Sequence, residues 1–438
     1  MTRPMKDSGI EWIGEIPQGW NVNKLKYSAD INRQRLNEQT DPDFEFNYID
    51  ISSVNEFGEI AETTKLSFEV SPSRARMVVN KGDTIVSTVR TYLKAIAYID
   101  KSESYICSTG FCVLSPYVEI DSKYLYYQVQ SDYFVQRIVS ESVGVSYPAI
   151  SSNRVGEILI IVPSLSEQKA IANYLDQKCA QIDKVIASKQ KTNELLKERR
   201  QSIIYEAVTK GLDRNALMKD SGIEWIGMIP LEWGLEKLKF SAEINPRADI
   251  ALKDEDDVSF VPMDNLKFGF HTTTLVPYER VKKGYVPFSE GDILIAKVTP
   301  CFENGNLAIA SNLRDGVGFG STEITVIRAE NIHVRYLYYY FQNPKFIERG
   351  TYDMYGVAGL KRLPTSFFAN TCIPTPTLWE QKTISDYLDD KCGEIDRLIR
   401  ANNFTIEKLI EYRQSIIFEA VTGKMEVPRT CGGRSFYF

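Results

Sequence analysis

Two blocks of this sequence occur twice, and in both cases the second copy lies 213 residues after the first. Residues 5–32 agree with residues 218–245 at 20 of 28 positions, and a second match pairs 165–209 with 378–422. A period of this length is far too long for a solenoid repeat. The sequence therefore predicts that a whole unit has been duplicated, which gives the fold a pseudo-twofold internal repeat.

Between the matched blocks the two copies diverge in sequence, and only short similar segments remain. Ser108-Thr109 resembles Ser321-Thr322, and the run Tyr124-Leu125-Tyr126-Tyr127 resembles Tyr336-Leu337-Tyr338-Tyr339. Each unit thus combines a variable middle with a frame, the repeated blocks 5–32 and 165–209 in the first unit and 218–245 and 378–422 in the second. This pattern predicts two variable parts of nearly equal length and different sequence.

A helix start is indicated at the same place in both units. Ser164 with Glu167, and Thr377 with Glu380, fit the S/T-x-x-E pattern of a capping box. No proline or glycine follows until Gly211 in the first copy, and the second copy contains Gly393 and reaches Gly423. We expect one long helix in each unit.

Apolar residues in both helices follow a strict 4,3 spacing, which is the period of a coiled-coil seam. A helix of about 45 residues would be roughly 65 Å long and needs a partner along its apolar stripe. The other copy is one partner; two unrelated helices, each packed on its own globular part, are the alternative. Polar seam positions at Lys189, Asn402, Arg200 and Arg413 would fix register. The apolar seam residues are Leu175, Ile182, Ile186, Leu196, Ile203, Leu388, Ile395, Ile399, Leu409 and Ile416.

The variable parts have the pattern of mixed α/β globular domains. Short helices are expected at 122–130 and 333–342. Runs rich in β-branched and aromatic residues predict strands at 46–51, 84–89, 158–162, 293–298 and 324–327.

The residue inventory disfavours several kinds of site. Only two histidines occur, and none of the seven cysteines forms a C-x-x-C pair, which argues against a zinc site, a disulfide framework and a histidine base. No apolar run is long enough to span a bilayer, and the first residues lack the apolar core of a secretory signal, so a cytoplasmic location is expected. The net charge of −6 neither supports nor excludes binding to nucleic acid, because a local basic surface can be hidden in the sum.

Motifs for catalysis or cofactor binding are not apparent in the sequence. The phosphate-binding pattern G-x-x-x-x-G-K-[ST] does not occur. The glycine-rich run 316–320 is interpreted as a turn before a strand, Asn343-Pro344 as a turn that ends a helix, and the acidic run 254–257 as a solvated loop. We therefore expect no catalytic residue, no metal site and no cofactor bound by this chain.

Basic, hydroxyl and amide side chains in loops are candidates for contacts with nucleic acid, since such groups bind phosphates and base edges. For any single residue, an ordinary solvated loop is an equally good interpretation. Residue type, loop position and cross-copy position select Arg90, Lys94, Ser108, Thr109, Ser146 and Tyr147 in the first unit, and Lys297, Asn304, Ser321, Thr322, Lys361 and Arg362 in the second.

The alternation of frame and variable middle closely resembles the specificity subunit of type I restriction–modification enzymes. The residues that carry the resemblance occur in both halves and cover nearly the whole chain. In the first half they are Ile16-Pro17 with Trp20, Pro163 through Glu167-Gln168-Lys169, and Arg200-Gln201-Ser202-Ile203-Ile204 with Glu206-Ala207-Val208-Thr209.

The resemblance implies a non-catalytic subunit that recognises double-stranded DNA. Each variable part would be a target recognition domain for one half of a split asymmetric site. The helices would pair as an antiparallel coiled coil, set the spacing of the half-sites and bind two modification subunits. The expected organisation is recognition domains at 1–163 and 213–376, helical spacers at 164–212 and 377–425, and a C-terminal tail at 426–438.

Catalysis would reside elsewhere in the complex that the resemblance implies. The modification subunits would carry adenine-N6 DNA methyltransferase chemistry with S-adenosylmethionine. Restriction subunits would carry ATP- and Mg²⁺-dependent translocation and site-specific cleavage. Two other functions remain open from the residues themselves: a self-sufficient DNA methyltransferase or nuclease with an unrecognised active site, and a coiled-coil scaffold protein without a DNA role.

Overall fold

The computed structural model describes residues 3–247, 252–357, 359–431 and 434–436. Part of the expected C-terminal tail, at 432–433 and 437–438, lies outside the described residues. The predicted fold class is confirmed, with two mixed α/β parts and two long helices. Within the described ranges, no helix combines the length and apolar character that a membrane crossing needs.

The chain forms two compact units, each of which combines segments that are far apart in sequence. The first unit contains Met1–Lys189 and Phe404–Phe438, and the second contains Gln190–Asn403. Each unit therefore includes one variable part, the first portion of the helix that follows it, and the last portion of the helix from the other repeat. The division into recognition domains, spacers and tail stays a prediction.

Four helices of each repeat occupy equivalent places, α5 has no counterpart in the first repeat, and the two longest helices begin directly after the expected capping residues. In chain order the helices are α1 Ser122–Gln130, α2 Asp132–Glu141, α3 Ser152–Glu157, α4 Leu165–Lys210, α5 Tyr278–Val281, α6 Val334–Phe341, α7 Pro344–Asp353, α8 Thr365–Asn370 and α9 Leu378–Thr422.

The part of the first unit that precedes α4 is built on two four-stranded sheets and two small strand pairs. One sheet has the strand order Thr64–Ser67, Glu45–Ile49, Tyr105–Ser108, Ala75–Val79, and its middle two strands are parallel. The other sheet has the antiparallel order Ala29–Ile31, Phe111–Pro116, Thr84–Ser87, Ile96–Tyr98. The strand pairs are Met5–Asp7 with Glu15–Pro17, and Asn21–Lys24 with Leu159–Val162.

The second unit repeats this topology with a different sequence. Its sheets have the orders Thr274–Pro277, Asp257–Val261, Val317–Gly320, Val286–Ser289, and Ala242–Ile244, Ile324–Ala329, Ile293–Ala296, Leu307–Ile309. The parallel pair again lies in the middle of one sheet. Antiparallel pairs join Met218–Asp220 to Met228–Pro230, Gly234–Lys237 to Cys372–Thr375, Leu266–Lys267 to Phe270–His271, and Tyr355–Val357 to Leu360–Arg362. A further pair, Arg429–Cys431 with Arg434–Phe436, follows α9 and belongs to the first unit.

The interpretation of the glycine-rich run 316–320 as a turn is wrong for most of its length. A 3₁₀ turn ends at Gly316, and Val317–Gly320 is a strand of the mixed sheet. A Cβ on Gly318 would lie 2.4 Å from a ring carbon of Phe288 on the neighbouring strand. The glycine is needed here because it gives the aromatic ring room against the sheet, a reason that glycine content alone does not reveal.

Reciprocal capping begins α4, and the same glutamate position links the helix to the repeated tryptophan. Ser164 Oγ accepts the amide of Glu167 at 3.4 Å, and the Glu167 carboxylate accepts the amide of Ser164 at 3.3 Å. In the second unit the Glu380 carboxylate accepts a hydrogen bond from Trp233 Nε1 at 3.0 Å. In the second unit the glutamate of the capping box and the repeated indole therefore stabilise each other.

The helices pair antiparallel inside each unit. In the first, Arg413 near the end of α9 binds Asp183 in the first half of α4. In the second, Arg200 near the end of α4 binds Asp396 in the first half of α9. The 4,3 positions face the core, since Leu175, Ile182, Ile186, Ile203, Leu388, Ile395 and Ile416 are buried and Leu196, Ile399 and Leu409 are half-buried.

Buried tyrosines hold the last turns of both long helices. Tyr336 Oη lies 3.1 Å from the carbonyl oxygen of Val208 in α4 and 2.9 Å from that of Pro374. In the first unit, Tyr124 Oη lies 2.9 Å from the carbonyl oxygen of Ile161 and 3.4 Å from that of Val421 in α9. Carbonyls in a final helical turn lack an intrahelical partner. In the first unit the Gln128 side-chain amide also donates to the Val421 carbonyl, at 3.1 Å. The hydroxyl contacts account for the first tyrosine of the repeated run, Tyr124 in α1 and Tyr336 in α6.

The glycine after α9 packs against the frame of the first unit, and we expect its replacement to be destabilising. Gly423 has φ +71°, and an added Cβ would lie 2.4 Å from Pro17 and 2.9 Å from Trp20. Gly423→Ala should lower the free energy of unfolding by about 1–3 kcal/mol in calorimetric melting. The matched control is Gly393→Ala in the middle of α9, where no atom lies within 4 Å of the new methyl group and stability should rise by about 0.5–1 kcal/mol. Equal effects of the two substitutions would contradict this packing.

Candidate nucleic-acid interface

A loop at 142–150 projects from the first unit and is held to the adjacent segment by backbone hydrogen bonds. The Arg90 amide donates to the Pro148 carbonyl at 2.8 Å, and the Ile150 amide donates to the Thr88 carbonyl at 2.9 Å. A bridge between Val143 and Ala149 closes the loop. The loop is thus fixed at its base and open to solvent at its tip.

The exposed face of this loop combines a guanidinium group with an aromatic ring. Arg90 lies 4.5 Å above the ring of Tyr147, whose side chain is 64% exposed. Ser146 beside it is also exposed, and Val145 at the tip is fully exposed. Guanidinium groups bind phosphates and guanine edges, and exposed aromatic rings can contact bases. The structure therefore brings together three of the expected residues, Arg90, Ser146 and Tyr147.

In the second unit a short hairpin, Tyr355–Val357 with Leu360–Arg362, occupies the equivalent position. The Thr299 amide donates to the Lys361 carbonyl at 3.0 Å, and the Leu363 amide donates to the Lys297 carbonyl at 2.8 Å. These two bonds match the pair that holds the loop of the first unit. The same backbone framework therefore presents different side chains in the two units.

The second unit places Lys297 and Arg362 around a carboxylate. The Arg362 guanidinium forms an ion pair with Glu323, and the Lys297 amide donates to the Glu323 carbonyl at 3.0 Å. Burial lowers the pKa of the Lys297 ammonium, the nearby Arg362 charge lowers it further, and Glu323 acts in the opposite direction. Lys361 is exposed on the hairpin beside them. Lys297, Lys361 and Arg362 thus form a basic surface, and the Glu323 carboxylate within it orients the Arg362 guanidinium.

The repeated serine–threonine turns have the same structure in both units. Ser108 Oγ accepts the amide of Gly110, and Ser321 Oγ accepts the amide of Glu323, each at 3.3 Å. Ser108 is buried and its hydroxyl stabilises the turn, whereas Thr109 and Thr322 are exposed. The threonines, not Ser108, present hydroxyls to solvent.

Two further expected residues have local roles. Lys94 binds Asp132 in α2 at 2.9 Å, so part of its charge is neutralised within the unit. Asn304 is exposed in the turn that follows Pro300, where its amide donates to the Pro300 carbonyl at 3.0 Å.

An exposed arginine that sequence reasoning missed lies beside the turn of the first unit. Arg74 binds the Asp50 carboxylate at 2.7 Å and donates to Tyr48 Oη at 3.2 Å. Its carbonyl accepts the Thr109 amide at 2.8 Å, which brings it to the expected surface. Arg74 has no counterpart in a repeated motif, and only the pairing of distant strands reveals its position.

In the described part of the chain, no group of three or more His, Cys, Asp or Glu residues has a geometry that could hold a metal ion. In the acidic run, Asp254 forms an ion pair with Lys282 at 2.7 Å.

Comparisons with known proteins agree with the architecture. A family model described as "Type I restriction modification DNA specificity domain" matches residues 17–198 and 241–411. The type I restriction enzyme EcoAI specificity subunit of Escherichia coli is 45% identical over 161 residues, which are 36% of this chain and 27% of that protein. The putative type I restriction enzyme MjaX specificity subunit of Methanocaldococcus jannaschii is 25% identical over 437 residues, 95% of this chain and 96% of that protein.

A solved structure gives the same result for the fold. A chain from a study of complex assembly and conformational transition of the type I R-M system superposes with a TM-score of 0.71 at 22% identity, covering 94% of this chain and 99% of that chain. The match to EcoAI spans about a quarter of that subunit, whereas the family model covers more than half of this chain and both of its repeats. With the frame duplicated, the same sheet order in both units and both repeats matched, the chain belongs to the type I restriction modification DNA specificity domain family.

Proposed function

We propose that this chain is the non-catalytic DNA sequence-specificity subunit of a type I restriction–modification complex. The observation that carries the proposal is the pair of equivalent surfaces. Each is held by the same two backbone hydrogen bonds, and each bears different side chains. A fixed framework with different exposed groups suits two recognition surfaces that read different sequences. None of the observations favours a self-sufficient methyltransferase or nuclease, or a scaffold without a DNA role.

Each unit would read one half of a bipartite, asymmetric site in double-stranded DNA. Loop residues would contact bases and phosphates, and the buried Ser108 and the partly neutralised Lys94 would support the surface. We keep the full set of proposed surface residues, contacting or supporting, as Arg90, Lys94, Ser108, Thr109, Ser146 and Tyr147, and Lys297, Asn304, Ser321, Thr322, Lys361 and Arg362, and add Arg74.

The remaining chemistry is assigned to partner subunits. Two modification subunits would bind the helical spacers at 164–212 and 377–425 and supply adenine-N6 methylation with S-adenosylmethionine. Restriction subunits would supply ATP- and Mg²⁺-dependent translocation and cleavage. The recognition domains would be 1–163 and 213–376, followed by a tail at 426–438, and the complex would act on DNA in the cytoplasm. Linking two recognition surfaces in one chain raises the effective concentration of the second after the first has bound.

Binding measurements at several salt concentrations test the DNA role. The complex of this chain with its modification subunits should bind a duplex that contains its site, and the logarithm of affinity should fall with the logarithm of salt concentration with a slope of about −4 or steeper. Such a slope reports phosphates neutralised by basic side chains. A flat response, or equal affinity for duplexes with and without the site, would support the scaffold without a DNA role.

Replacing Arg362, the arginine of the hairpin, should reduce sequence discrimination in one half of the DNA site. We expect Arg362→Ala to cost about 1–3 kcal/mol of discrimination at a base pair in one half-site, the size of a lost arginine–base contact. The freed Glu323 carboxylate would also repel phosphate. Lys345→Ala on α7, where the lysine is exposed and paired with Glu348, is the matched control. Unchanged affinity and unchanged site preference in Arg362→Ala would remove this residue from the recognition surface.

A further inference from the structure

Each unit contains one buried arginine on the helix that arrives from the other repeat. In the first unit this residue is Arg413 of α9, with a side chain 4% exposed, and in the second it is Arg200 of α4, with a side chain 10% exposed. The two positions are 213 residues apart. A charged side chain is costly to bury unless it is paired and hydrogen-bonded, so its partners indicate what it is for.

In the first unit Arg413 contacts both the paired helix and the variable part. Its Nε lies 2.9 Å from Asp183 Oδ1 in α4. Its Nη2 donates to the carbonyl oxygen of Phe57 at 3.3 Å, and its guanidinium carbon lies 5.9 Å from the centre of the Phe57 ring. The residue therefore joins three segments of the chain at one point.

In the second unit Arg200 repeats this arrangement. Its Nε lies 3.1 Å from Asp396 Oδ1 in α9, and its Nη1 donates to Gln342 Oε1 at 2.9 Å. Its guanidinium carbon lies 5.0 Å from the centre of the Phe268 ring. Both rings belong to a Phe-Gly pair in a loop of the variable part, Phe57-Gly58 and Phe268-Gly269.

The Phe-Gly loops approach closely to the aromatic helices of the variable parts. A Cβ on Gly58 would lie 2.4 Å from Tyr126 Oη, and a Cβ on Gly269 would lie 3.5 Å from Tyr338 Oη. Both glycines have positive φ, +85° and +82°. The loop, the tyrosine helix and the arginine thus pack together in each unit, and the arginine fork fixes their geometry better than an apolar side chain would.

We propose that Arg200 and Arg413 are positioning residues that hold the recognition surfaces to the helix pair. The arrangement is crosswise, because each arginine acts on the variable part of the other repeat. Arg413, from the second repeat, positions the first recognition surface, and Arg200, from the first repeat, positions the second. This inference rests on the proposed DNA-reading function. Recognition of base edges needs accurate placement of the side chains that contact them. Loss of either arginine should therefore reduce discrimination between cognate and mismatched base pairs in the half-site read by the unit in which that arginine is buried.

The test is adenine-methylation mapping in cells that carry the complete complex with Arg200→Ala or Arg413→Ala. Arg200→Ala should reduce discrimination between cognate and single-mismatch sequences by about tenfold in the half-site read by the second variable part, with the other half-site unchanged. Arg413→Ala should give the opposite pattern. Arg200→Lys and Phe268→Leu keep the charge and the apolar bulk respectively, so each should give a weaker form of the Arg200→Ala effect if the alanine variant does not fold.

Several outcomes would overturn the proposal. They are equal loss at both half-sites, an effect on the half-site of the arginine's own repeat, and no effect in a folded variant. Arg199→Ala and Lys408→Ala, at exposed neighbouring positions on α4 and α9, should leave the site preference unchanged. If the unsubstituted complex methylates no bipartite site at all, the proposed function itself fails, which distinguishes that result from failure of the crosswise arrangement.

Discussion

Exchange of residues 213–376 for the equivalent segment of a family member with a different target is expected to change one half of the methylated site and to leave the other half unchanged. The first variable part, with its loop at 142–150, would remain intact. Several mismatched base pairs, each costing about 1–3 kcal/mol, should reduce methylation of the original sites by at least about 1000-fold. Methylation mapping of the hybrid complex measures both halves at once.

The hybrid must keep the contacts that join the exchanged part to the helices. Phe268 and Gln342 both contact Arg200, and Tyr336 holds the end of α4, so their equivalents should be retained. The matched control exchanges 213–376 with the segment of a member that shares the same target, and its site should not change. An unaltered site in the first hybrid, or the loss of both half-sites in a folded complex, would contradict independent reading by the two parts.

The largest effect on stability is expected from truncation of a buried residue in the helix core. Leu388 in α9 is fully buried in the core of the second unit with Ile203, Ala207 and Tyr336. Leu388→Ala should lower the free energy of unfolding by about 3–5 kcal/mol, because it loses apolar burial and leaves a cavity. Denaturant unfolding followed by circular dichroism measures the change.

The matched control is a leucine on the same helix that faces solvent. Leu398 is 54% exposed, and Leu398→Ala should change the free energy of unfolding by no more than about 0.5 kcal/mol. Similar losses for Leu388→Ala and Leu398→Ala would contradict the burial of the 4,3 positions.

The long helices could be predicted because their signals are local. A capping box marks each start, and the 4,3 spacing names residues that the structure buries or half-buries. The same spacing is compatible with two helices that pack separately on their own variable parts and with two helices that also pair with each other. The ion pairs Arg200–Asp396 and Arg413–Asp183, which join α4 to α9, show that the helices pair.

The candidate surface was less accessible to sequence reasoning because distant segments build it. Hydrogen bonds between Thr299 and Lys361 fix the hairpin, and the two residues are 62 positions apart in the chain. Residue type led to Arg90 and Tyr147, but their mutual stacking and the pairing of Arg362 with Glu323 depend on strand order. Arg74 was missed for the same reason, and Ser108 was selected although its hydroxyl is occupied within the turn.

Genome-wide mapping of adenine methylation, in a host that carries this chain with its modification subunits, tests the central claim most directly. We predict a single methylated motif with two different specified halves separated by an unspecified spacer of fixed length, and loss of that motif when this chain is deleted. Methylation that persists without this chain, or a continuous motif without a spacer, would contradict its role as the subunit that reads a bipartite site.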